Sequence, residues 1–219
     1  MADSLDNYTR RLPVYIVLDR SGSMAGEPIE AVKTGVKNLL SSLRKEPQAI
    51  ETAFLSVISF GSDARQDVPL TDIMSFKEPK LEAGGATAMG EALKILSRCL
   101  ENEVRKGSPT QKGDYKPLVF IMTDGEPTDS WHGPANEIKN KSGKSANVVT
   151  IGCGSQVNSD TLKKISEIVL LMSSYQPNDF EQFFRWVSQS VKQASVKFTA
   201  DGEKPTTLPP PPAAIQIIP

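Results

Sequence analysis

Apolar runs and amphipathic segments alternate along most of this 219-residue chain. Short runs rich in β-branched and aromatic residues have the length of buried strands. They lie at 14–18, 53–60, 118–122, 147–151 and 168–172. Between them, apolar residues recur at the three- and four-residue spacing of helices that bury one face. This alternation predicts an α/β fold with a doubly wound, mostly parallel, six-stranded sheet and helices on both of its faces.

Several local signals refine this outline. The stretches with helical spacing are 28–45, 89–104 and 134–141. Asp160 and Asp179 are predicted as the N-caps of two later helices. The segment 64–70 alternates polar and apolar residues and carries Pro69 near its end, which is typical of a strand at a sheet edge. We therefore expect one antiparallel edge strand.

The polar and proline-rich ends of the chain suggest a single domain with two extensions. We expect a flexible leader at 1–10, one domain at 11–198 and a proline-rich tail at 199–219. Four consecutive prolines, 209–212, favour an extended polyproline segment that does not pack with the domain. The tail is interpreted as a flexible end, with a docking peptide that has a β-prone tip as the alternative.

Charge and cysteine usage exclude several classes of function. Lysine and arginine number 25 against 26 acidic residues, so no basic surface for nucleic acid is indicated. Cys99 and Cys153 form no Cys-x-x-Cys pair and are predicted to be reduced core thiols. The sequence shows no signal peptide and no membrane-length apolar run, which predicts a cytoplasmic protein without membrane insertion.

The candidate chemistry lies where the two most apolar strands end. The strand at 14–18 leads into an acid and two hydroxyls, and the strand at 118–122 leads into a second acid. A glycine-rich loop before the helix at 89–104 adds a third hydroxyl. In a doubly wound sheet, ligands bind at the carboxyl ends of the strands where the strand order reverses. The predicted cluster is Asp19, Ser21, Ser23, Thr87 and Asp124.

Two carboxylates and three hydroxyls form an all-oxygen donor set. Such sets suit Mg²⁺, with Mn²⁺ and Ca²⁺ as alternatives, rather than zinc or copper. Two carboxylates only about balance the charge of a divalent ion, so the ion could still attract an external acidic group. Taken alone, the segment 19–23 is equally consistent with a polar turn after a strand.

The three motifs together resemble a known metal site. Asp-x-Ser-x-Ser at Asp19, Gly-Ala-Thr ending at Thr87 and Thr-Asp-Gly around Asp124 are similar to the metal-ion-dependent adhesion site of von Willebrand factor A domains. The resemblance covers roughly residues 11–196. It implies a metal ion, incompletely coordinated by the domain, that an acidic side chain of a partner protein completes. The implied rim of the binding face comprises Arg20, Met24, Glu27, Gly85 and Glu126.

Several longer segments resemble the bacterial TerY-type proteins of tellurium-resistance clusters. They are Arg-Leu-Pro-Val-Tyr, Gly-Glu-Pro-Ile-Glu-Ala-Val and Lys-Pro-Leu-Val-Phe-Ile-Met-Thr-Asp-Gly-Glu-Pro-Thr-Asp. This resemblance implies a stress-response complex whose partners include a serine/threonine kinase and a PP2C-type phosphatase. Arg20 departs from the small polar residue that is more usual there, and a positive charge beside the ion would alter affinity or partner choice.

The predicted function is that of a metal-dependent protein-binding adaptor and not an enzyme. No His, Cys or Lys is placed by the sequence beside the cluster. A Mg²⁺-dependent phosphohydrolase or phosphotransfer domain is the alternative, although Ser21 stands where a second carboxylate would be needed. A third hypothesis is a phosphorylation target. The glycine-rich loop lacks a phosphate-binding lysine, since Glu91 stands in its place, and His132 is predicted to lie on the surface.

Overall fold

Seven strands form one sheet in the computed structural model, which describes residues 10–154, 157–172, 174–200 and 208–218. In chain order they are β1 Leu12–Asp19, β2 Ala53–Phe60, β3 Ala64–Asp72, β4 Leu118–Thr123, β5 Asn147–Cys153, β6 Ile168–Met172 and β7 Ile215–Ile218. They lie in the order β3-β2-β1-β4-β5-β6-β7. The helices are α1 Glu27–Leu43, α2 Pro47–Thr52, α3 Met89–Asn102, α4 His132–Lys141, α5 Ser159–Lys163 and α6 Pro177–Ala200. A turn of 3-10 helix, Gly22–Met24, precedes α1.

The predicted fold class is confirmed. β1, β2, β4, β5 and β6 run parallel, while β3 pairs antiparallel with β2 at one edge, as predicted. β1 lies in the parallel part of the sheet, and all 8 of its residues are buried. A parallel strand covered by helices on both faces has no solvent-facing side, which explains its continuously apolar sequence.

Alternate residues of β1 point to opposite faces of the sheet and enter two separate hydrophobic cores. Ile16 belongs to the core that includes residues of α1 and α6, and Val17 belongs to the core that includes residues of α3 and α4. On the first face the helices touch directly, because a Cβ added at Gly35 of α1 would lie 1.9 Å from the ring of Phe184 in α6. The two helix layers hold β1 and β4 at the centre of the domain.

The helix α2 was not predicted from the sequence, and the predicted starts of α5 and α6 are wrong. α2 has 6 residues, too few to show helical periodicity, although Pro47 at its start is a typical first helical residue. Asn158, not Asp160, caps α5, and its side chain accepts the Asp160 N–H at 3.0 Å. α6 begins at Pro177, so Asp179 lies in the first turn, where a negative charge favours the helix dipole.

The proline-rich tail packs along the sheet from residue 208 onwards, so the predicted flexible end is wrong for this part of the chain. β7 pairs antiparallel with β6, with Ile215 opposite Met172. Ile215 is only 4% exposed and belongs to the same core as α1 and α6. The sheet therefore has seven strands, not the predicted six, and its second edge is also antiparallel.

Two contacts hold the tail before β7 begins. The indole Nε1 of Trp186 donates a hydrogen bond to the carbonyl of Pro209 at 2.9 Å, and Leu208 packs against the hydrophobic core. Prolines lack an N–H but keep a carbonyl that accepts normally, and their fixed φ lowers the entropy lost on ordering. The sequence could not show this packing, because Trp186 and the core residues that the tail contacts precede it by many residues along the chain.

Residues 1–9 of the predicted leader lie outside the described residues. Arg10, at its end, is held by the domain: its Nε donates to the carbonyl of Gly113 at 2.7 Å, and its guanidinium lies 4.1 Å from the ring centre of Tyr115. The division into leader, domain and tail stays a prediction. The part of the tail that the structure describes packs against the domain.

Both cysteines are buried and form no disulfide with each other, as predicted. Burial raises the pKa of Cys99 to about 11, so its thiol stays protonated at neutral pH and is poorly reactive. Burial also raises the pKa of Cys153 well above its usual value. Across the described ranges, no helix combines the length and apolar character needed to span a membrane.

The packing of the tail predicts a contrast between two isoleucines of β7. Ile215→Ala should lower the free energy of unfolding by about 2 kcal/mol, because it leaves a cavity in the core. Ile217→Ala is the matched control, since Ile217 is 60% exposed, and it should change stability by less than ~0.5 kcal/mol. Chemical denaturation measures both. Equal effects would contradict the packing of the tail against the core.

Candidate metal centre

The predicted cluster lies at the carboxyl edge of the sheet, between β1 and β4. These strands are parallel neighbours, with Leu18 opposite Met122, so the residues after each strand emerge side by side. The strand order reverses at this point, because β1 connects onward to β2 on one side while β4 leads to β5 on the other. The cluster therefore occupies the position where doubly wound sheets bind ligands.

Asp19 is buried, and both of its carboxylate oxygens accept hydrogen bonds. It ends β1, is 1% exposed, and its Oδ1 accepts the Ser21 N–H at 2.7 Å. Its Oδ2 accepts the hydroxyl of Thr123, the last residue of β4, at 2.6 Å. Thr123 was not predicted to take part in the cluster, although it lies inside the Thr-Asp-Gly motif that pointed to Asp124.

A chain of hydrogen bonds links the two hydroxyls of the first motif to the second acid. The Oγ atoms of Ser21 and Ser23 lie 3.0 Å apart, and Ser23 Oγ donates to Asp124 Oδ1 at 2.8 Å. The 3-10 turn places both serines on the same side of the chain. Asp124 is 4% exposed, and its second oxygen, Oδ2, is buried without a hydrogen-bond partner among the described residues.

The glycine-rich loop brings Thr87 to the same crevice. Gly22 N–H donates to the carbonyl of Gly85 at 2.9 Å, which joins this loop to the first motif. The backbone N–H of Thr87 donates to Thr128 Oγ1 at 3.1 Å. Thr87 Oγ1 lies 3.5 Å from the position of a Cβ on Gly125, the residue after Asp124. All five predicted residues therefore converge on one place.

Burial dominates the electrostatics of the two acids. It raises the pKa of Asp19 above its usual value, although hydrogen bonds from Ser21 and Thr123 oppose the shift. Burial likewise raises the pKa of Asp124, and the nearby Asp19 carboxylate raises it further. Holding two charged carboxylates in this poorly solvated place is unfavourable unless a positive charge compensates them.

Tyr175 forms a wall of the crevice that the sequence did not predict. A Cβ added at Gly154 would lie 2.4 Å from its phenolic oxygen, so this tyrosine packs directly over the end of β5. Burial and the charge of Asp124 raise the pKa of Tyr175 to about 12. Tyr175 lies in the segment before α6 and carries no local motif, so only the folded chain reveals it.

The residues present fit a hard divalent cation. The donor atoms are carboxylate and hydroxyl oxygens, and the partnerless Oδ2 of Asp124 is an acceptor that a cation would satisfy. Within the described ranges, no group of three or more His, Cys, Asp or Glu side chains could hold a metal. A cation bound here would therefore need hydroxyl ligands as well as the two acids, and the two acids would only just balance its charge.

The structure places the residues of the predicted rim in different environments. Glu27, Gly85 and Glu126 are exposed at the surface of the domain. Met24 was predicted wrongly, because it is 0% exposed and packs into the core beneath the 3-10 turn. Arg20 is only 8% exposed, and its guanidinium is directed to the end of β2 rather than to a binding surface.

The start of α3 offers no phosphate site, in agreement with the sequence. The carboxylate of Asp129 accepts the N–H groups of Gly90 at 2.8 Å and Glu91 at 2.9 Å, which a phosphate would otherwise need.

His132 is exposed and stacks on Trp131 with ring centres 4.1 Å apart, so its predicted surface position is confirmed.

A family model for the von Willebrand factor type A domain matches residues 14–192, which include every residue of the cluster. The chain belongs to this family. Domains of this type commonly mediate metal-dependent protein interactions and are generally interaction modules rather than enzymes.

Two curated relatives show how far this von Willebrand factor A chain extends along longer proteins. The uncharacterized protein sll0103 of Synechocystis sp. is 33% identical over 193 residues, which cover 83% of this chain and 42% of the relative. Inter-alpha-trypsin inhibitor heavy chain H4 of Bos taurus is 28% identical over 146 residues, which cover 63% of this chain and 15% of the relative. The chain thus spans less than half the length of either protein.

Solved structures share the von Willebrand factor A fold. The von Willebrand factor type A protein from Catenulispora acidiphila has a TM-score of 0.63 at 21% identity and covers 84% of this chain and 43% of its own. Proximal thread matrix protein 1 from the mussel byssus, with a zinc-occupied MIDAS motif, has a TM-score of 0.57 at 18% identity, with 83% and 48% covered. At these identities the likeness concerns the fold.

The buried acids predict that the charge of Asp124 lowers the stability of the metal-free protein and allows Mg²⁺ to stabilise the metal-bound protein. Because the pKa of Asp124 is raised, its charged form destabilises the metal-free fold at neutral pH, and this cost decreases as the pH falls. Asp124→Asn should therefore be at least as stable as wild type in chelator. With Mg²⁺ at 100 times its Kd, wild type should gain ~2.7 kcal/mol and the variant almost nothing.

Chemical denaturation with chelator and with Mg²⁺ measures this difference. Glu51→Gln is the control, since Glu51 is an exposed acid just before β2. It lies at the amino ends of the parallel strands, whereas the crevice lies at their carboxyl ends. This control should respond to Mg²⁺ as wild type does. If Mg²⁺ stabilised Asp124→Asn and wild type equally, this crevice would not be the metal site.

Proposed function

We propose that this domain is a metal-dependent protein-binding adaptor. A divalent cation would be held by Asp19, Ser21, Ser23, Thr87 and Asp124, directly or through water, and an acidic side chain of a partner protein would complete its coordination. The observation that carries the proposal is the Oδ2 of Asp124, a buried acceptor without a partner among the described residues, beside a second buried carboxylate.

The charge of the site explains why an external acid would bind. Two carboxylates only about neutralise a divalent ion, and the remaining protein donors are neutral hydroxyls. In a poorly solvated crevice, an ion that lacks ligands attracts an acidic side chain far more strongly than a surface lysine would. The interaction would depend on the ion, because the two acids of the crevice would otherwise repel the acid of the partner.

Mg²⁺ is the proposed ion, with Mn²⁺ and Ca²⁺ as alternatives, because the donors are all oxygen. The zinc in the MIDAS motif of the mussel protein belongs to that protein. A cytoplasmic location is proposed from the sequence alone.

The proposed partners follow the resemblance to TerY-type proteins. They are a serine/threonine kinase and a PP2C-type phosphatase within a bacterial tellurite or stress-response complex. The support for this finer assignment is the set of sequence segments flanking the two acidic motifs. The exposed rim residues Glu27 and Glu126 would face such a partner beside the metal.

The geometry gives less support to a phosphohydrolase or phosphotransfer domain. That chemistry needs an acid or base near the metal to handle protons, or a lysine facing the phosphate. Position 21 carries a hydroxyl that lies 3.0 Å from another hydroxyl. Arg20, the cation closest in sequence to Asp19, is directed to the end of β2.

The adaptor proposal predicts that partner capture requires both the ion and Asp124. In a pull-down from the native host in Mg²⁺, wild type and Glu51→Gln should retain the same proteins, identified by mass spectrometry. Chelator and Asp124→Asn should each abolish that retention. Partners that stay bound equally after chelation would contradict a metal-bridged interaction, and Mg²⁺-dependent turnover of p-nitrophenyl phosphate would support the phosphohydrolase instead.

A further inference from the structure

Arg20 occupies the spacer position between Asp19 and Ser21, yet its side chain is almost fully buried. The whole residue is 8% exposed, and its guanidinium reaches the loop at the end of β2. A buried arginine without partners is strongly destabilising, so a residue of this kind is expected to be fully paired. Its partners therefore indicate what it does.

The side chain and the backbone of Arg20 together join three segments. Its Nε donates to Ser59 Oγ at 3.2 Å, and its terminal nitrogen forms an ion pair with Asp63. The backbone N–H of Arg20 donates to the Phe60 carbonyl at 2.7 Å. Its carbonyl accepts the Gly84 N–H at 2.8 Å. The first metal motif is thus fastened to the end of β2 and to the glycine-rich loop.

The turn at 61–63, which follows β2, in turn holds the residues on both sides of Thr87. The carbonyl of Gly61 accepts the Ala88 N–H at 2.7 Å, and the hydroxyl of Ser62 accepts the Ala86 N–H at 3.1 Å. A Cβ at Gly61 would lie 2.7 Å from the Gly84 carbonyl and 3.0 Å from the Arg20 guanidinium. This close packing leaves the loop that carries Thr87 little freedom while the turn stays in place.

We propose that Arg20 is a positioning residue, which pairs with Asp63 to hold the 61–63 turn and so sets the place of Thr87 before any metal binds. The proposal rests on the proposed metal site as far as affinity is concerned. Arg20 acts through the turn and is not itself a ligand. Its charge is already paired with Asp63 and is not presented to the partner.

The sequence of the glycine-rich loop explains why such a device is needed. Gly84 and Gly85 are adjacent, and Gly85 adopts a φ of +79°, which other residues rarely reach. Free glycines lose more conformational entropy on ordering than other residues, so this loop would not hold Thr87 in place by itself. Residues that orient metal ligands in this way typically change metal affinity by about 10- to 100-fold when they are removed.

The experiment compares two ion pairs, each formed by an arginine and a carboxylate. Arg20→Gln and Asp63→Asn each break the proposed pair, and Asp63 is 63% exposed, so the second variant should fold normally. Arg185→Gln is the matched control, because Arg185 pairs with Glu181 within α6 at 2.8 Å, and this pair includes no residue of the metal motifs or of the 61–63 turn. Calorimetry with Mn²⁺ measures affinity, and hydrogen exchange in chelator measures the protection of the Ala86 and Ala88 amides.

The expected result is a rise of about tenfold in the Kd for Mn²⁺ with Arg20→Gln. Asp63→Asn should raise the Kd in the same direction, and the double variant should be no worse than Arg20→Gln alone. Exchange at Ala86 and Ala88 should be faster in both variants, and Arg185→Gln should match wild type in both measurements.

Wild-type exchange rates and affinity in a folded Arg20→Gln or in Asp63→Asn would overturn the proposal. Equal losses of affinity in Arg185→Gln would also overturn it, because the effect would then reflect general stability. If wild type bound no cation, the proposed function would fail, while the exchange rates measured in chelator would still decide the role of Arg20.

Discussion

The structure depends on two buried carboxylates held at the end of the β1–β4 pair. Asp19 and Asp124 are each desolvated, and the charge of Asp19 raises the pKa of Asp124. Hydrogen bonds from Ser21 and Thr123 satisfy both oxygens of Asp19, whereas one oxygen of Asp124 has no partner in the described part of the chain. The arrangement is thus incomplete as a purely protein structure, which is a reasonable cost only where a positively charged ligand supplies the missing interaction.

The surrounding fold makes this placement rigid. Because β1 and β4 are parallel neighbours covered by helices on both faces, the acids emerge at a defined separation from the same edge. Three loops then close on them, and the contacts between the loops are largely made by backbone atoms of glycines, such as Gly22 with Gly85. Backbone contacts of this kind are possible only where no side chain intervenes, so the glycines serve close approach as well as flexibility.

The two edges of the sheet are protected in different ways. β3 carries charged residues and Pro69, and its pairing with β2 is irregular, features that discourage further strand pairing. At the other edge, β7 covers β6, and Trp186 fixes the preceding prolines through a single hydrogen bond. Trp186 also packs edge-on against Phe120 of β4, with ring centres 5.7 Å apart. The tail is thereby connected to the core that supports the crevice.

Three features could be predicted from the sequence: the fold class, the central strands and the five residues that converge in the crevice. These features are local: apolar runs and helical spacing set the elements, and the acids directly follow strands whose parallel pairing brings them together. Four features are visible only in the folded chain: the burial of Met24, the direction of Arg20, the wall formed by Tyr175 and the seventh strand. Each of these depends on partners distant in the chain, and no local pattern of residues records which distant surface a side chain or a short strand will meet.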